Sequence, residues 1–298
     1  MNMNLRCQIL IAFSALVFSP AVCGCGNESQ NKVKDQQQAS VPSQDKVDQA
    51  VPETAGQSQQ QASWGTLRGR FVYDGEAPQR NKIDISANPE YCGRHGLEEE
   101  KLVVDDDGGI ADVMIWVRSK DVPVHEDYLE SASEPVELNN KNCRFFPHVV
   151  AMQPGQQLRV TNSDPVSHNT EIRFALNTPF NEQLSPGATK EINVAKPETR
   201  PVEIKCGVHP WMSSYVLVKE TPYAAVTGED GSFEIKNLPA GVELEFQVFH
   251  PLAERITSVS KENTPTEWRR GRFKMSLAEG DNDLKNLVVG PDQFSKRL

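Results

Sequence analysis

Cys206-Gly207-Val208-His209-Pro210-Trp211-Met212 puts a thiol, an imidazole and a thioether into seven residues. For these side chains to meet, the backbone must double back at once. The fold therefore has to deliver Cys206 at a strand end and swing His209 and Met212 over the same point in a tight turn, stiffened by Pro210. A second imidazole stands upstream, in Asn162-Ser163-Asp164-Pro165-Val166-Ser167-His168-Asn169. Donors drawn from separate strands are ordinary in a sandwich of two sheets. The plainer alternative is a buried structural Cys with unrelated neighbours, since Cys is often buried and Met fills cores. Three donors in one short turn, with a His-Asn pair upstream, favour a shared site.

Thiolate sulfur with imidazole nitrogen suits copper, and a weak thioether suits a copper that changes oxidation state. Two His, one Cys and a long axial Met make the trigonal site of a blue-copper electron carrier. On these residues the chain resembles the cupredoxins. The C-x-x-H-x-x-M spacing is similar to the short ligand loop of the amicyanin and plastocyanin kind. Gly155 to Val160, then Thr161, Asn162, Asp164 and His168-Asn169, is similar to the run that carries the first histidine ligand in that family. The likeness covers residues 135–220. It implies one type 1 copper with His168, Cys206 and His209 in the plane and Met212 axial. It also implies that Asn169 holds the thiolate loop, that the chain is a carrier rather than an enzyme, and that a redox protein is its partner. Binding modules remain the alternative: copper storage or delivery, or recognition of envelope glycans.

The start of the chain reads as a targeting segment. Arg6 supplies a positive charge, Ile9 to Val22 is apolar, and Val22-Cys23-Gly24-Cys25 closes the run. That run is short for a membrane span and fits a signal peptide. A small residue directly before Cys25 resembles a bacterial lipobox, which implies lipidation at Cys25 and an exported, periplasmic protein anchored to the membrane through its lipid. Cleavage without a lipid is the alternative. Residues 26–63 are rich in Gln, Ser, Lys and Asp with no apolar period, as in a disordered tether.

From Trp64 onward the pattern is of short strands between Gly and Pro turns, which predicts an all-β, antiparallel sandwich of the Greek-key, cupredoxin-like type. Strands are expected at 66–73, 101–104, 110–117, 149–152, 157–161, 171–175, 189–194, 202–206 and 215–219, with a short helix within 122–130. Additional sandwich strands are expected on both flanks, over 64–134 and 221–298. The stretch from Pro222 to Gly241 resembles carboxypeptidase-regulatory-like, transthyretin-like β modules. Gly65 to Gly75 looks like the opening strand of the same kind, so the flanks are expected to share a sheet system.

Cys92 and Cys143 remain after Cys7 and Cys23 are assigned to the leader, Cys25 to the lipid and Cys206 to the metal. In an exported protein two leftover cysteines pair. The competing reading is a Cys2His2 metal site with His95 and His148. The formal net charge of -10 argues against a nucleic-acid partner. Asp105-Asp106-Asp107 lacks the remaining ligands of a calcium loop and reads as a solvated turn. No Gly-rich phosphate loop, HExxH pair, G-x-S-x-G elbow or haem-attachment motif is present. His250 has no nucleophile or acid beside it in sequence and is expected to be structural.

Overall fold

The computed structural model describes residues 63–294. The leader, Cys25 and the tether up to residue 62 lie outside the described residues. The described chain is almost entirely strands, with two short α-helices, α1 (Pro89–Cys92) and α2 (Asp127–Ser131). The strands are β1 (Trp64–Tyr73), β2 (Met114–Val117), β3 (Val136–Lys141), β4 (Arg144–Phe146), β5 (Val149–Met152) and β6 (Gln157–Asn162). There follow β7 (His168–Ile172), β8 (Phe180–Leu184), β9 (Thr189–Asn193), β10 (Val202–Lys205), β11 (Ser213–Val218) and β12 (Ala224–Val226). The last are β13 (Ser232–Pro239), β14 (Glu243–Phe249), β15 (Ser258–Lys261), β16 (Thr264–Glu267), β17 (Arg272–Ser276) and β18 (Gly280–Val289).

Four sheets result. The middle of the chain makes β4-β3-β6-β9 and β5-β11-β10-β7-β8, which enclose one core. The two flanks together make β13-β1-β18-β15-β16 and β12-β2-β14-β17, which enclose another. Thus β1, from the start of the described region, lies between β13 and β18 near its end. Pairing is antiparallel except at β1 with β18, β3 with β6 and β5 with β11.

The residue pattern accounts for these strands. In β6, Leu158 and Val160 are buried while Gln157 and Arg159 face outward. In β10, Ile204 is buried between exposed Glu203 and Lys205. All four residues of β2 are buried. Ile115 and Val117 enter the flanking core, while Met114 and Trp116 pack on Val149 and Leu217 from β5 and β11. A strand covered on both faces needs a continuous apolar run rather than alternation.

Three expected strands differ. The run at 110–117 is a strand only from Met114, because Asp112 takes a left-handed backbone with φ 63°. Residues 101–104 supply only an isolated bridge, between Val104 and Ile110. The strand expected at 171–175 is β7, which begins at His168 and buries His168, Thr170 and Ile172. The short helix expected within 122–130 is α2, of five residues.

His250 follows β14, is almost wholly buried, and accepts the Leu252 N–H at Nδ1 (3.1 Å). Burial pushes its pKa down from 6.5 to about 4. An unfolded chain therefore takes up a proton at this residue below about pH 6.5, while the folded chain does not until about pH 4. Stability is lost as pH falls through that window, by on the order of 3 kcal/mol from this group. His148 acts with the opposite sign: burial opposes its charge, but the Asp112 carboxylate bond (2.6 Å) holds its pKa above the ordinary value. Its contribution is present at low pH and fades as pH rises through that raised pKa. His250→Gln is expected to flatten the loss between about pH 6.5 and 4, as read by urea unfolding. A variant losing stability in parallel with wild type would refute this origin.

Candidate metal centre

Each donor has a local reason for its position. Cys206 directly follows β10, where the ladder to β11 stops at the Lys205–Ser213 pair. The linking residues fold into a turn in which Met212 N donates to His209 O (2.9 Å) and Cys206 N to Met212 O (3.2 Å). Pro210 and Trp211 are the central residues of that turn, and proline suits the first of these positions. His168 opens β7, which pairs with β10, so the first histidine and the cysteine come from neighbouring strands.

The structure brings His168, Cys206 and His209 together. One ring nitrogen from each histidine and the Cys206 sulfur lie within 4.8 Å of one another, and all three residues are buried. His209 Nδ1 is 3.7 Å from the Cys206 sulfur. The histidine ring centroids are 4.6 Å apart. Met212, 2 % exposed, lies in the same apolar cluster as Cys206.

The two imidazoles are held by their far nitrogens. His168 Nε2 donates to Asp164 Oδ2 (2.8 Å), which leaves Nδ1 buried with no hydrogen-bond partner. His209 Nε2 bonds Asn88 Oδ1 (2.9 Å). Both Nδ1 lone pairs are thereby left toward the sulfur. An orphaned buried nitrogen is costly unless something occupies it. The donor set of two imidazoles and a thiolate fits a copper ion.

The sulfur is prepared as a thiolate. It accepts the N–H groups of Asn169 (3.3 Å) and His209 (3.4 Å). Burial is the largest single influence on Cys206 and acts to raise its pKa. The two histidines, when Nδ1 carries a proton, and the two backbone N–H donors outweigh it and bring the thiol down to about 6. His168 shows the complementary change: burial opposes its charge, but Asp164 and the thiolate hold its pKa above the ordinary value.

Asn169 is hydrogen-bonded to the loop. Its Oδ1 accepts the Gly207 N–H (3.0 Å), and its Nδ2 donates to Asn181 Oδ1 (2.8 Å) and Glu182 O (3.2 Å). A Cβ on Gly207 would stand 3.2 Å from that Oδ1, so a side chain there would press the Asn169 amide out of its place by a few tenths of an ångström. Pro210 is exposed at the tip of the turn.

Cys92 and Cys143 form a disulfide. Closing a loop with a sequence separation of 51 contributes about 4 kcal/mol in the chain-entropy view. The zinc alternative loses both thiolates to this bond. His95 packs edge-on against Tyr91, and His148 is engaged by Asp112.

Several residues that sequence reasoning did not assign complete the centre. The Asp164 carboxylate accepts from His168, Tyr91 Oη (2.8 Å), Asn142 N (2.6 Å) and Cys143 N (2.8 Å). Burial opposes its charge, yet these donors hold it ionised below the ordinary carboxylate range. Burial, then Asp164 itself, pushes the Tyr91 hydroxyl up to about 12, so it stays a donor. Trp211 packs on His209 and donates to Cys143 O (3.1 Å). Asn88, Tyr91 and Cys92 all belong to the segment around α1, which meets the centre at His209, Asp164 and Cys143. The four-residue i to i+4 spacing of Asp164 and His168 was the one available signal.

No protein-family model matches the chain, and no curated protein matches it. Among solved structures, amicyanin from Paracoccus versutus is similar, at 17% identity over 35% of this chain and 97% of that one, with a TM-score of 0.26. A purple cupredoxin from Nitrosopumilus maritimus is 21% identical over 28% of this chain and 99% of that one, with a TM-score of 0.25. A copper-containing nitrite reductase from Thermus scotoductus is 23% identical over 29% of this chain and 22% of that one, with a TM-score of 0.27. The chain thus spans under a quarter of the reductase. These likenesses reach only about a third of the chain, and what the centre can do follows from its own residues.

Proposed function

We propose that the chain carries single electrons at one type 1 copper bound by His168, Cys206, His209 and Met212. The observation that carries this reading is the pair of Nδ1 atoms left toward a lowered-pKa, buried thiol. When bound, copper supplies a reversible one-electron couple. The residues do the rest. Asp164 and Asn88 fix the two rings, Asn169 fixes the sulfur, and burial excludes water. A site held rigidly at its far atoms reorganises little between oxidation states. The reading is of a carrier rather than an enzyme, with a redox protein as partner, tethered to the membrane of a bacterial envelope by a lipid on Cys25. The C-terminal strands are read as a structural module, since the flanking sandwich draws on both ends of the chain.

The test is voltammetry with visible spectroscopy on the copper-loaded full chain. A reversible one-electron wave with an intense red absorption is expected. Met212→Leu should keep the colour and shift the potential upward, because a weak axial donor to Cu(II) is removed. A colourless protein with no reversible wave would sink the carrier reading in favour of copper storage or delivery.

A further inference from the structure

Beside the centre lies a pair of sulfurs that the carrier function does not use, with one of the proposed ligand histidines next to it. The sulfurs of Cys92 and Cys143 and a ring nitrogen of His209 are all within 4.8 Å of one another. The Cys143 sulfur also lies within 4.8 Å of a carboxylate oxygen of Asp164 and a ring nitrogen of His168. Both cysteines are fully buried, in the same apolar cluster as Cys206 and Met212. The disulfide therefore abuts the ligand histidines instead of bracing the fold at a distance.

We propose that Cys92 and Cys143 form a second, switchable copper(I) site, closed as the disulfide and opened by a dithiol reductant. A reductant thiolate attacks one sulfur to form a mixed disulfide. Its second thiol then displaces the protein sulfur. Two electrons and two protons pass to the pair, and the reductant leaves as a cyclic disulfide. Binding of one copper(I) between the two sulfurs, with His209 alongside, releases the two thiol protons. Thiolates are preferred ligands of that ion.

Access comes from the segment that carries Cys92. α1 has four residues, and Asn88, Glu90, Gly93 and Arg94 around Cys92 are exposed. Apart from the disulfide, this segment is tied to the centre by the Asn88 bond to His209 and the Tyr91 bond to Asp164. So short a segment opens locally at far less cost than global unfolding.

The experiment uses the full chain with Cys7, Cys23 and Cys25 changed to Ser, so that Cys206 is the one thiol outside the pair. One sample is left oxidised; another is reduced with dithiothreitol and desalted without oxygen. Each is titrated with copper(I) against a chromophoric copper(I) chelator. Reduction is expected to double the copper bound per chain, and Cys92→Ser/Cys143→Ser should remove the increment. Iodoacetamide should modify Cys92 and Cys143 in the reduced, metal-free chain and spare both once copper(I) is bound to saturation, as read by mass mapping. The decisive quantity is the reduced-minus-oxidised difference. An increment of one on an oxidised value of zero would reject the carrier site and still support this one. Equal copper in both forms, a disulfide that dithiothreitol leaves closed without denaturant, or an increment surviving in the double variant would overturn the proposal.

Discussion

Copper-loaded protein is expected to be intensely blue, and Cys206→Ser colourless. The band arises from charge moving from a thiolate sulfur to Cu(II), and Cys206 is the one free cysteine among the described residues. Serine keeps the size of the side chain and removes the donor orbital. It also removes the acceptor of the Asn169 and His209 N–H groups, which a hydroxyl oxygen on a shorter bond meets poorly. The loss should therefore be complete in colour and large in affinity, while far-UV circular dichroism stays that of a β protein. His168→Ala and His209→Ala each open the plane and should lower affinity without abolishing every sulfur-dependent band. Persistent blue in Cys206→Ser would place the metal elsewhere.

The second large effect is expected at Asp164. Its carboxylate is the acceptor for four donors, and one of them is the Nε2–H of His168, one of the two histidines proposed to hold the metal. Asp164→Asn keeps the shape but removes the charge and presents N–H groups to donors. A carboxylate behind a ligating imidazole raises its basicity, and losing such a partner typically costs 10–100-fold in metal affinity. Because charge donated through His168 favours Cu(II), the potential should move upward. Asp164→Ala is harsher, since each buried donor left alone costs about 1–3 kcal/mol. Chelator competition reads the affinity and urea unfolding of metal-free protein reads the stability. An unchanged affinity in Asp164→Asn would show that the bond to His168 is incidental to the centre.

The candidate ligand loop was legible because its three donors, Cys206, His209 and Met212, are rare residue types at fixed spacing, and the turn they demand is local. The disulfide followed from elimination among six cysteines. β2 was visible as an apolar run, though not its start, since nothing in the residue type of Asp112 announces a left-handed backbone. β3 and β8 were missed because they are largely polar strands, Val136–Lys141 and Phe180–Leu184, shaped by their partners rather than by alternation. Asn88 and Tyr91 were out of reach for another reason. They meet the centre across long sequence separations, 121 residues in the case of Asn88 and His209, and no local pattern encodes such a meeting.

The position of β1 has a bearing on how the molecule is made. Its two neighbours, β13 and β18, are translated long after it, with the whole inner sandwich in between. While the ribosome is still working, β1 therefore carries two rows of bare amide and carbonyl groups beside Leu67 and Phe71, which end up fully buried. Pairing of such distant strands is slow, and waiting strand edges stick to other chains. The middle of the chain can close its own core first, from β3 to β11, and bring the late strands back to the early one. In growth of the nascent polypeptide, the piece that holds the donors would then act as the template on which the ends are joined.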